Sequence, residues 1–274
     1  MTAPLKDKLL KDKLLKDKLL KDKLLKDKVV LVTGAGGGVG RGIALACAAA
    51  GAEVVVTARG ASGEETTEMI RAEGGSAHAV RCDVTDRDDV ERSVAEALRV
   101  YGGLDAMVHN ATSRESSQPH ALEDASLELW EAHASVSVRG SFHCAQASFG
   151  ALVETGGSLI LLTSPAGIEG SATLPFYGMS KAAQRALVKS LALEWGPSGV
   201  RVNGLAPLAR TEALDRAFEA DETLEARIRS LVPLGRIGEP TVDVGYVAAF
   251  LVSDWANYVS GQTLVVSGGR FTLL

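Results

Sequence analysis

Val29-Val-Leu-Val-Thr33 runs directly into Gly34-Ala-Gly-Gly-Gly-Val-Gly40, and a segment of small residues follows over 41–50. The unbroken apolar run predicts a buried parallel strand. The glycines permit close backbone approach, and the N-terminus of the next helix offers free N–H groups and a positive dipole end to a pyrophosphate. The stretch therefore predicts a strand, a glycine turn and a helix that bind a dinucleotide.

Strand-like and helix-like segments alternate along the rest of the chain. The predicted strands cover 29–33, 52–58, 77–82, 106–108, 158–163, 200–205 and 261–266. The predicted helices cover 41–50, 64–73, 90–101, about 122–134, 135–154, 182–195, 211–230 and 240–252. This order predicts a Rossmann-like α/β fold, a doubly wound and mainly seven-stranded parallel sheet with helices on both faces, as a single domain over 29–274.

Composition bounds the function. The 274 residues are 46% apolar and carry a formal net charge of −5, which gives no global support for a nucleic-acid partner. Cys47, Cys82 and Cys144 show no paired spacing and are interpreted as reduced core thiols of a cytoplasmic protein. The five histidines have no metal-ligand spacing, so we expect no metal. No apolar run reaches about 18 residues, and no signal-peptide pattern is present, so we expect a soluble, unexported chain.

Residues 6–28 repeat the unit Lys-Asp-Lys-Leu-Leu and contain ten lysines and five aspartates. A five-residue period gives a helix no continuous apolar stripe and gives a strand no apolar face. We interpret residues 1–28 as an appendage outside the fold, formed by tandem duplication of a short lead-in. The alternative is that this basic, leucine-rich segment touches an acidic membrane surface; we expect no stable membrane association.

Tyr177 and Lys181 are four residues apart at the start of a predicted helix, and Ser164 ends the strand before it. On a helix the two side chains share one face. A nearby ammonium favours phenolate, so we expect Lys181 to lower the pKa of Tyr177 and make it a proton donor or acceptor near neutral pH. An isolated Tyr-x-x-x-Lys match is more often a surface tyrosine beside a solvated lysine.

The second predicted strand ends at Ala58 and is followed by Arg59. Dinucleotide folds place an acidic residue near here for the ribose of NAD, whereas a positive residue suits the 2′-phosphate of NADP. Arg59 therefore favours NADP(H), with NAD(H) possible if the arginine is merely solvated. Asp83, at the end of the third strand, is a candidate contact for the adenine.

Together these segments resemble the short-chain dehydrogenase/reductase family over residues 29–270. Thr33-Gly34-x-x-x-Gly38-x-Gly40 is similar to its cofactor turn, and Asn110-Ala111 to its asparagine motif. Ser164 precedes Tyr177 by 13 residues and Lys181 by 17, which is the usual spacing in this family. Pro207 and Thr211 are similar to its loop that holds the nicotinamide end.

The resemblance implies hydride transfer between a nicotinamide and a carbonyl or secondary alcohol. It implies that Tyr177 transfers the proton and that Ser164 orients the substrate oxygen. It also implies that Lys181 lowers the pKa of Tyr177 and donates a hydrogen bond to the nicotinamide ribose. The implied cofactor-binding residues are Thr33, Gly34, Gly36, Gly37, Gly38, Val39, Gly40, Arg59, Asp83, Val84, Asn110, Ala111, Tyr177, Lys181, Pro207 and Thr211.

Four positions depart from the family pattern. Ser137 stands where the family has an asparagine that holds a relay water, so we expect Ser137 to bind that water with a shorter reach. The other three are Thr112 after the asparagine motif, Leu208 after Pro207, and Ser267 before the last two glycines. None of them removes the catalytic candidates.

The favoured function is an NADP(H)-dependent carbonyl reductase, including the reduction of 3-oxoacyl thioesters. The alternatives are an NAD-dependent alcohol or steroid dehydrogenase, and a low-turnover NADP-binding scaffold. We expect a lid over 211–231 to select a small-molecule carbonyl or alcohol. The resemblance also implies a homodimer or homotetramer, for which Ala183, Leu187 and Leu191 would supply an apolar outer stripe unless they belong to the core.

Overall fold

A computed structural model describes residues 24–272 of the chain. This part contains one seven-stranded sheet in which all neighbouring strands are parallel, in the order β3-β2-β1-β4-β5-β6-β7. The strands are β1 Val29–Thr33, β2 Glu53–Ala58, β3 Ser76–Arg81, β4 Ala106–His109, β5 Ser158–Leu162, β6 Arg201–Pro207 and β7 Thr263–Val266. The predicted fold class is confirmed.

Helices cover both faces of the sheet. They are α1 Gly38–Ala49, α2 Ser62–Ala72, α3 Arg87–Tyr101, α4 Leu127–His133, α5 Gly140–Thr155, α6 Ala166–Glu169, α7 Pro175–Trp195, α8 Glu212–Ala220, α9 Leu224–Ser230 and α10 Tyr246–Val252. The apolar sides of α1, α2 and α10 form one core cluster with the sheet. Those of α3, α5 and α7 form a second cluster on the opposite face. No helix between residues 24 and 272 has both the length and the apolar character needed to cross a bilayer.

The strand order reverses at β1, which pairs with β2 on one side and with β4 on the other. In open parallel sheets this switch point opens a crevice beyond the carboxyl ends of the strands. The glycine turn follows β1, residues 110–112 follow β4 and Ser164 follows β5. The topology thus brings three separate sequence motifs to one edge of the sheet.

The region 122–155 differs from the two predicted helices. Leu122–Asp124 forms a single 3₁₀ turn, and α4 begins only at Leu127, because the Ser126 hydroxyl accepts a hydrogen bond from the Leu129 N–H and caps the helix there. Between α4 and α5 the chain continues as a π-helical segment, Ala134–Arg139, so that 127–155 is one continuous helical run. Such wide turns often occur at functional sites.

The lid region 211–231 consists of two helices, whereas the sequence predicted one helical segment. Asp221 lies between α8 and α9 with extended backbone, and its carboxylate accepts hydrogen bonds from the N–H and the hydroxyl of Thr223. This local turn competes with helical hydrogen bonding and separates the two helices.

The part of the repeat up to residue 23 lies outside the described residues. Its last leucine, Leu25, is fully buried in the core, and its backbone N–H donates to the Ala50 carbonyl. Lys28 forms ion pairs with Asp105 and Asp254, each at 3.3 Å. We expected all of 1–28 to lie outside the fold. This expectation is wrong for the last residues, because Leu25 belongs to the apolar core cluster that α1 also contributes to.

Candidate active site

A cleft of about 1000 Å³ lies at the carboxyl edge of the sheet. Of the predicted site residues, it is lined by Gly34, Gly36, Gly37, Gly38, Val39, Arg59, Asp83, Val84, Asn110, Ala111, Ser164, Tyr177, Lys181, Pro207 and Thr211. Thr33, Gly40 and Ser137 are buried and do not line this cleft. The volume is at the upper end of the range typical of small-molecule and cofactor sites.

The glycine turn requires glycine at two positions for different reasons. Gly34 has a φ of +63°, a conformation that side chains disfavour. A Cβ at Gly40 would lie 2.4 Å from the Gly34 carbonyl oxygen and 2.3 Å from the amide nitrogen of Asn110. The first turn of α1 therefore packs against the loop after β4 without room for a methyl group.

Thr33 and Asn110 join the ends of β1 and β4. The Thr33 hydroxyl accepts hydrogen bonds from the N–H groups of Asn110 (3.1 Å) and Ala111 (3.2 Å). The Asn110 amide donates to the carbonyls of Thr33 (3.1 Å) and Gly34 (3.0 Å). Both residues thus shape the turn through the protein's own hydrogen bonds.

The start of α1 presents N–H groups to an anion. One of them, on Gly38, donates to a carboxylate oxygen of Glu212 at 3.2 Å. Glu212 is the first residue of lid helix α8, and Thr211 caps that helix by accepting from the Leu214 N–H at 3.3 Å. The glycine turn thus already donates a hydrogen bond to a carboxylate of the same chain. The same ability to donate to an anion is needed to bind a pyrophosphate.

Because the Glu212 carboxylate competes for this N–H and repels phosphate, we expect Glu212→Gln to bind a dinucleotide cofactor about two- to fivefold more tightly at low salt. Fluorescence titration of the cofactor measures this. The control is Glu219→Gln, an exposed position on the same helix. Equal dissociation constants for both variants and the unmodified protein would contradict the prediction.

The catalytic candidates lie on three adjoining elements. Ser164 follows β5, and its hydroxyl accepts from the Ala166 N–H at 3.2 Å as α6 begins. Gly167 of α6 lies so close to α7 that a Cβ would be 2.5 Å from the carbonyl carbon of Lys181. Tyr177 and Lys181 are one turn apart on α7, and the lysine Nζ lies 5.6 Å from the centre of the tyrosine ring. The structure thus brings Ser164, Tyr177 and Lys181 together.

The ionisation of this pair differs from the sequence-based expectation. Burial raises the pKa of Tyr177, and its hydrogen bond with Ser164 only partly offsets this effect. Burial also lowers the pKa of Lys181 to about 7, since this residue is 3% exposed. The expected acidification of Tyr177 by Lys181 is therefore wrong for the protein alone, because desolvation disfavours both charged forms.

Lys181 is held by a backbone carbonyl and by a side chain that the sequence did not identify. Its Nζ donates to the Leu162 carbonyl at 2.6 Å and to the side-chain oxygen of Gln184 at 2.9 Å. The Ser137 hydroxyl is buried and has no hydrogen-bond partner within residues 24–272. Ser137 contributes its carbonyl oxygen instead, which accepts from the Ser141 hydroxyl at 2.6 Å. Gln184 and Ser141 were not identified from the sequence; the available signal was a glutamine one turn after Lys181, on the core-facing side of α7.

Arg59 and Asp83 lie side by side at the far end of the cleft. The Arg59 guanidinium is 4.0 Å from an Asp83 carboxylate oxygen, and both side chains are partly exposed. The other Asp83 oxygen accepts hydrogen bonds from the N–H and hydroxyl of Thr85. Asp83 is thereby fixed, and Arg59 lines the cleft beside it.

Within the described residues there is no cluster of three or more His, Cys, Asp or Glu side chains that would hold a metal ion. The buried His109 is used structurally, with its Nδ1 3.0 Å from the Thr33 hydroxyl. Burial lowers the pKa of His109 to about 3, so the ring is neutral.

Comparisons with known proteins agree with this geometry. The profile of a family described as enoyl-(acyl carrier protein) reductase matches residues 34–270. A crystal structure titled as a putative short-chain alcohol dehydrogenase from Sinorhizobium meliloti superposes with a TM-score of 0.83 at 36% identity. That superposition covers 90% of this chain and 97% of the other.

Characterised relatives differ in their named substrates. A 2,5-dichloro-2,5-cyclohexadiene-1,4-diol dehydrogenase of Sphingobium indicum is 36% identical, covering 88% of this chain and 95% of the relative. An L-rhamnose 1-dehydrogenase (NAD(P)⁺) of Azotobacter vinelandii is 36% identical, with coverages of 89% and 97%. A 3-oxoacyl-[acyl-carrier-protein] reductase of Staphylococcus aureus is 34% identical, with coverages of 88% and 97%.

Proposed function

This chain belongs to the short-chain dehydrogenase/reductase family and is an oxidoreductase acting on CH–OH or C=O groups; we propose that it is an NADP(H)-dependent carbonyl reductase. The observation that supports this most is the meeting of Ser164, Tyr177 and Lys181 with the glycine turn in one cleft. A bound nicotinamide would supply or accept the hydride.

The chain's own residues would handle the substrate oxygen and its proton. In reduction, the Tyr177 hydroxyl donates its proton to the oxygen that gains negative charge. Ser164 lies beside that phenol and orients the same oxygen by a hydrogen bond. The Lys181 ammonium, 5.6 Å from the tyrosine ring, stabilises the phenolate left behind. In oxidation the same groups act in reverse, with Tyr177 as the base.

Arg59 supports the choice of NADP(H). Its position after β2, in the same cleft as the glycine turn, suits recognition of a 2′-phosphate. Val84, Asn110 and Ala111 would lie along the middle of the dinucleotide, and Pro207 and Thr211 at its nicotinamide end.

We expect Arg59→Ala to weaken NADPH binding by about tenfold or more, with NADH binding changed by less than about twofold, since a charged hydrogen bond is worth roughly 1.5–3 kcal/mol. Cofactor fluorescence titrations measure both constants. The control is Arg41→Ala: Arg41 donates to Thr66 and the Gly36 carbonyl, so its loss affects both cofactors alike. If NADH binds as tightly as NADPH and Arg59→Ala changes neither, the NADP(H) assignment fails.

The second candidate is an NAD-dependent dehydrogenase of cyclic or secondary alcohols. Asp83, 4.0 Å from Arg59, offsets part of the positive charge that a 2′-phosphate would need. Two of the relatives are named as dehydrogenases of a cyclohexadiene diol and of L-rhamnose, a cyclic diol and a sugar. This candidate predicts faster NAD⁺ reduction with cyclic diols and sugars than NADPH oxidation with ketones.

Substrate choice within the carbonyl class belongs to the lid. Leu214 and Ala217 of α8, together with Arg216, line the cleft next to the catalytic candidates. The reductase among the relatives makes 3-oxoacyl thioesters the first class to test. The experiment is NADPH consumption against panels of β-ketoacyl thioesters, quinones, steroids and sugars. Cofactor binding without turnover on every panel would overturn the reductase in favour of a binding scaffold.

Assembly as a homodimer or homotetramer is also part of the proposal, but the predicted stripe needs correction. Leu191 is buried and Leu187 packs against the core, so these side chains serve the monomer. Leu193 is 82% exposed on α7 and Phe142 is 52% exposed on α5. These side chains make the outer faces of the two helices the better candidate interface.

The buried, unpaired thiols suit a reducing cytoplasm.

A further inference from the structure

Gln184 lies on α7 one turn after Lys181 and is 1% exposed. Its side-chain oxygen accepts from Lys181 Nζ at 2.9 Å, and its side-chain nitrogen donates to the Ser141 hydroxyl oxygen at 2.9 Å. The Ser141 hydroxyl in turn donates to the Ser137 carbonyl at 2.6 Å. A buried chain of hydrogen bonds thus runs from the lysine amine to the π-helical segment Ala134–Arg139.

These hydrogen bonds determine the orientation of the Gln184 amide group. A serine hydroxyl has one proton, and that of Ser141 is used on the Ser137 carbonyl. The Ser141 oxygen must therefore accept, which requires the NH₂ end of Gln184 beside it. The carbonyl end of Gln184 is then directed at Lys181, whose ammonium can only donate.

Lys181 is surrounded by neutral groups. The titratable side chains that face it are Tyr177 on its own helix, His109 on β4 and His133 on α4. Burial lowers the pKa of both histidines, so neither is charged at neutral pH. Within residues 24–272, Lys181 forms no ion pair, and its hydrogen-bond acceptors are the Leu162 carbonyl and Gln184.

An ammonium that has lost its water needs these two oxygens, and one of them comes from a side chain. We propose that Gln184, held in place by Ser141, is the positioning residue that fixes the Lys181 amine beneath Tyr177 and favours its charged form. This rests on the roles proposed above for Tyr177 and Lys181. An amide passes no proton under these conditions, so Gln184 orients the amine and does not relay protons.

A matched pair of serines provides the test. Ser141 and Ser148 are both fully buried on α5, and each donates to the carbonyl four residues earlier, at 2.6 Å and 2.7 Å. Ser141→Ala and Ser148→Ala therefore lose similar local bonds. Only Ser141→Ala removes the acceptor that holds Gln184.

The readout is the titration of Lys181 itself in the full-length protein without cofactor. Lysine labelled with ¹³C at Cε gives an NMR shift that follows the charge of the amine, and the signal that disappears in Lys181→Met assigns it. We expect the midpoint to fall by about half to one pH unit in Ser141→Ala, which loses one neutral hydrogen bond, and by about one to two pH units in Gln184→Met, which loses a hydrogen bond made by the charged amine. Ser148→Ala should titrate like the unmodified protein.

Identical midpoints in all four proteins would overturn the proposal, as would an equal shift in Ser148→Ala. If Gln184→Met fails to fold, the serine pair alone decides between these outcomes. The titration needs no substrate, so a failure to find turnover would count against the proposed reductase and not against this inference. Once a substrate is known, Ser141→Ala should lower kcat about three- to tenfold with little change in the substrate KM, whereas Ser148→Ala leaves both unchanged.

Discussion

Tyr177→Phe is expected to lower kcat/KM by about a thousandfold, within the range of general acid–base catalysis, while NADPH binding changes by less than about twofold. The substitution removes one oxygen from a partly buried side chain and keeps the aromatic ring. The phenol is the group with a transferable proton beside Ser164 in the cleft. Its loss should therefore affect the chemical step and leave the cofactor contacts intact.

Steady-state kinetics on the substrate found by the panel, with fluorescence titration of NADPH, separate the two effects. Tyr101→Phe is the matched control, since that phenol contacts Ser76 far from the cleft at 3.3 Å. It should retain full activity. A Tyr177→Phe variant with more than about a tenth of the original kcat/KM would remove Tyr177 from the mechanism.

Lys181→Met is expected to stabilise the protein and to inactivate it. Lys181 is 3% exposed, and burial lowers the pKa of its amine from the ordinary 10.5 to about 7. Replacing a buried charged group by an apolar side chain of similar volume is often stabilising by about 1–4 kcal/mol. Activity should fall about a hundredfold or more because the phenolate loses its positive neighbour.

The free energy of unfolding depends on pH through the protonation of Lys181. Between pH 7 and 10.5 the unfolded chain holds a proton on Lys181 that the folded protein has released. The unfolded state then binds more protons, so the free energy of unfolding rises with pH in this window, by up to about 1.4 kcal/mol per pH unit from this group. The penalty for burying the lysine is largest below pH 7 and disappears as the pH approaches 10.5.

Urea denaturation at pH 6.5 and at pH 9.5 tests this dependence. The difference in unfolding free energy between Lys181→Met and the unmodified protein should be large at pH 6.5 and should shrink at pH 9.5. Lys189→Met, on the exposed side of the same helix, should show no such trend. A Lys181→Met protein that is less stable at both pH values would mean that the lysine is paired in a way that compensates its burial.

The fold was predictable because most strands contain a short apolar run and each connection contains a helix. Val29-Val-Leu-Val-Thr33 is buried along its whole length, as its composition indicates. The site followed from topology, since parallel strands deliver Gly34, Asn110 and Ser164 to the same edge. Spacing alone placed Tyr177 and Lys181 on one face of α7.

Properties that depend on desolvation or on contacts distant in sequence were not predictable in this way. The sequence correctly pairs Tyr177 with Lys181, but the ionisation of the two groups depends on how much water the fold removes, which no spacing encodes. The Ser137 hydroxyl is buried without a hydrogen-bond partner among residues 24–272, and Lys181 donates to Gln184, a residue on its own helix that no family motif marks. Leu25 joins the core although the repeat that contains it has no amphipathic pattern.

We propose that Ser164, Tyr177 and Lys181 complete a hydride transfer that starts at the nicotinamide of a dinucleotide whose pyrophosphate lies over the glycine turn. Single-turnover reduction with NADPH that carries deuterium at both C4 positions measures this directly. We expect the unmodified protein to transfer the label to the carbonyl carbon of its substrate, and Tyr177→Phe, equally loaded with cofactor, to transfer it about a thousandfold more slowly. Equal rates of label transfer in the two proteins, or a product without the label, would contradict the account.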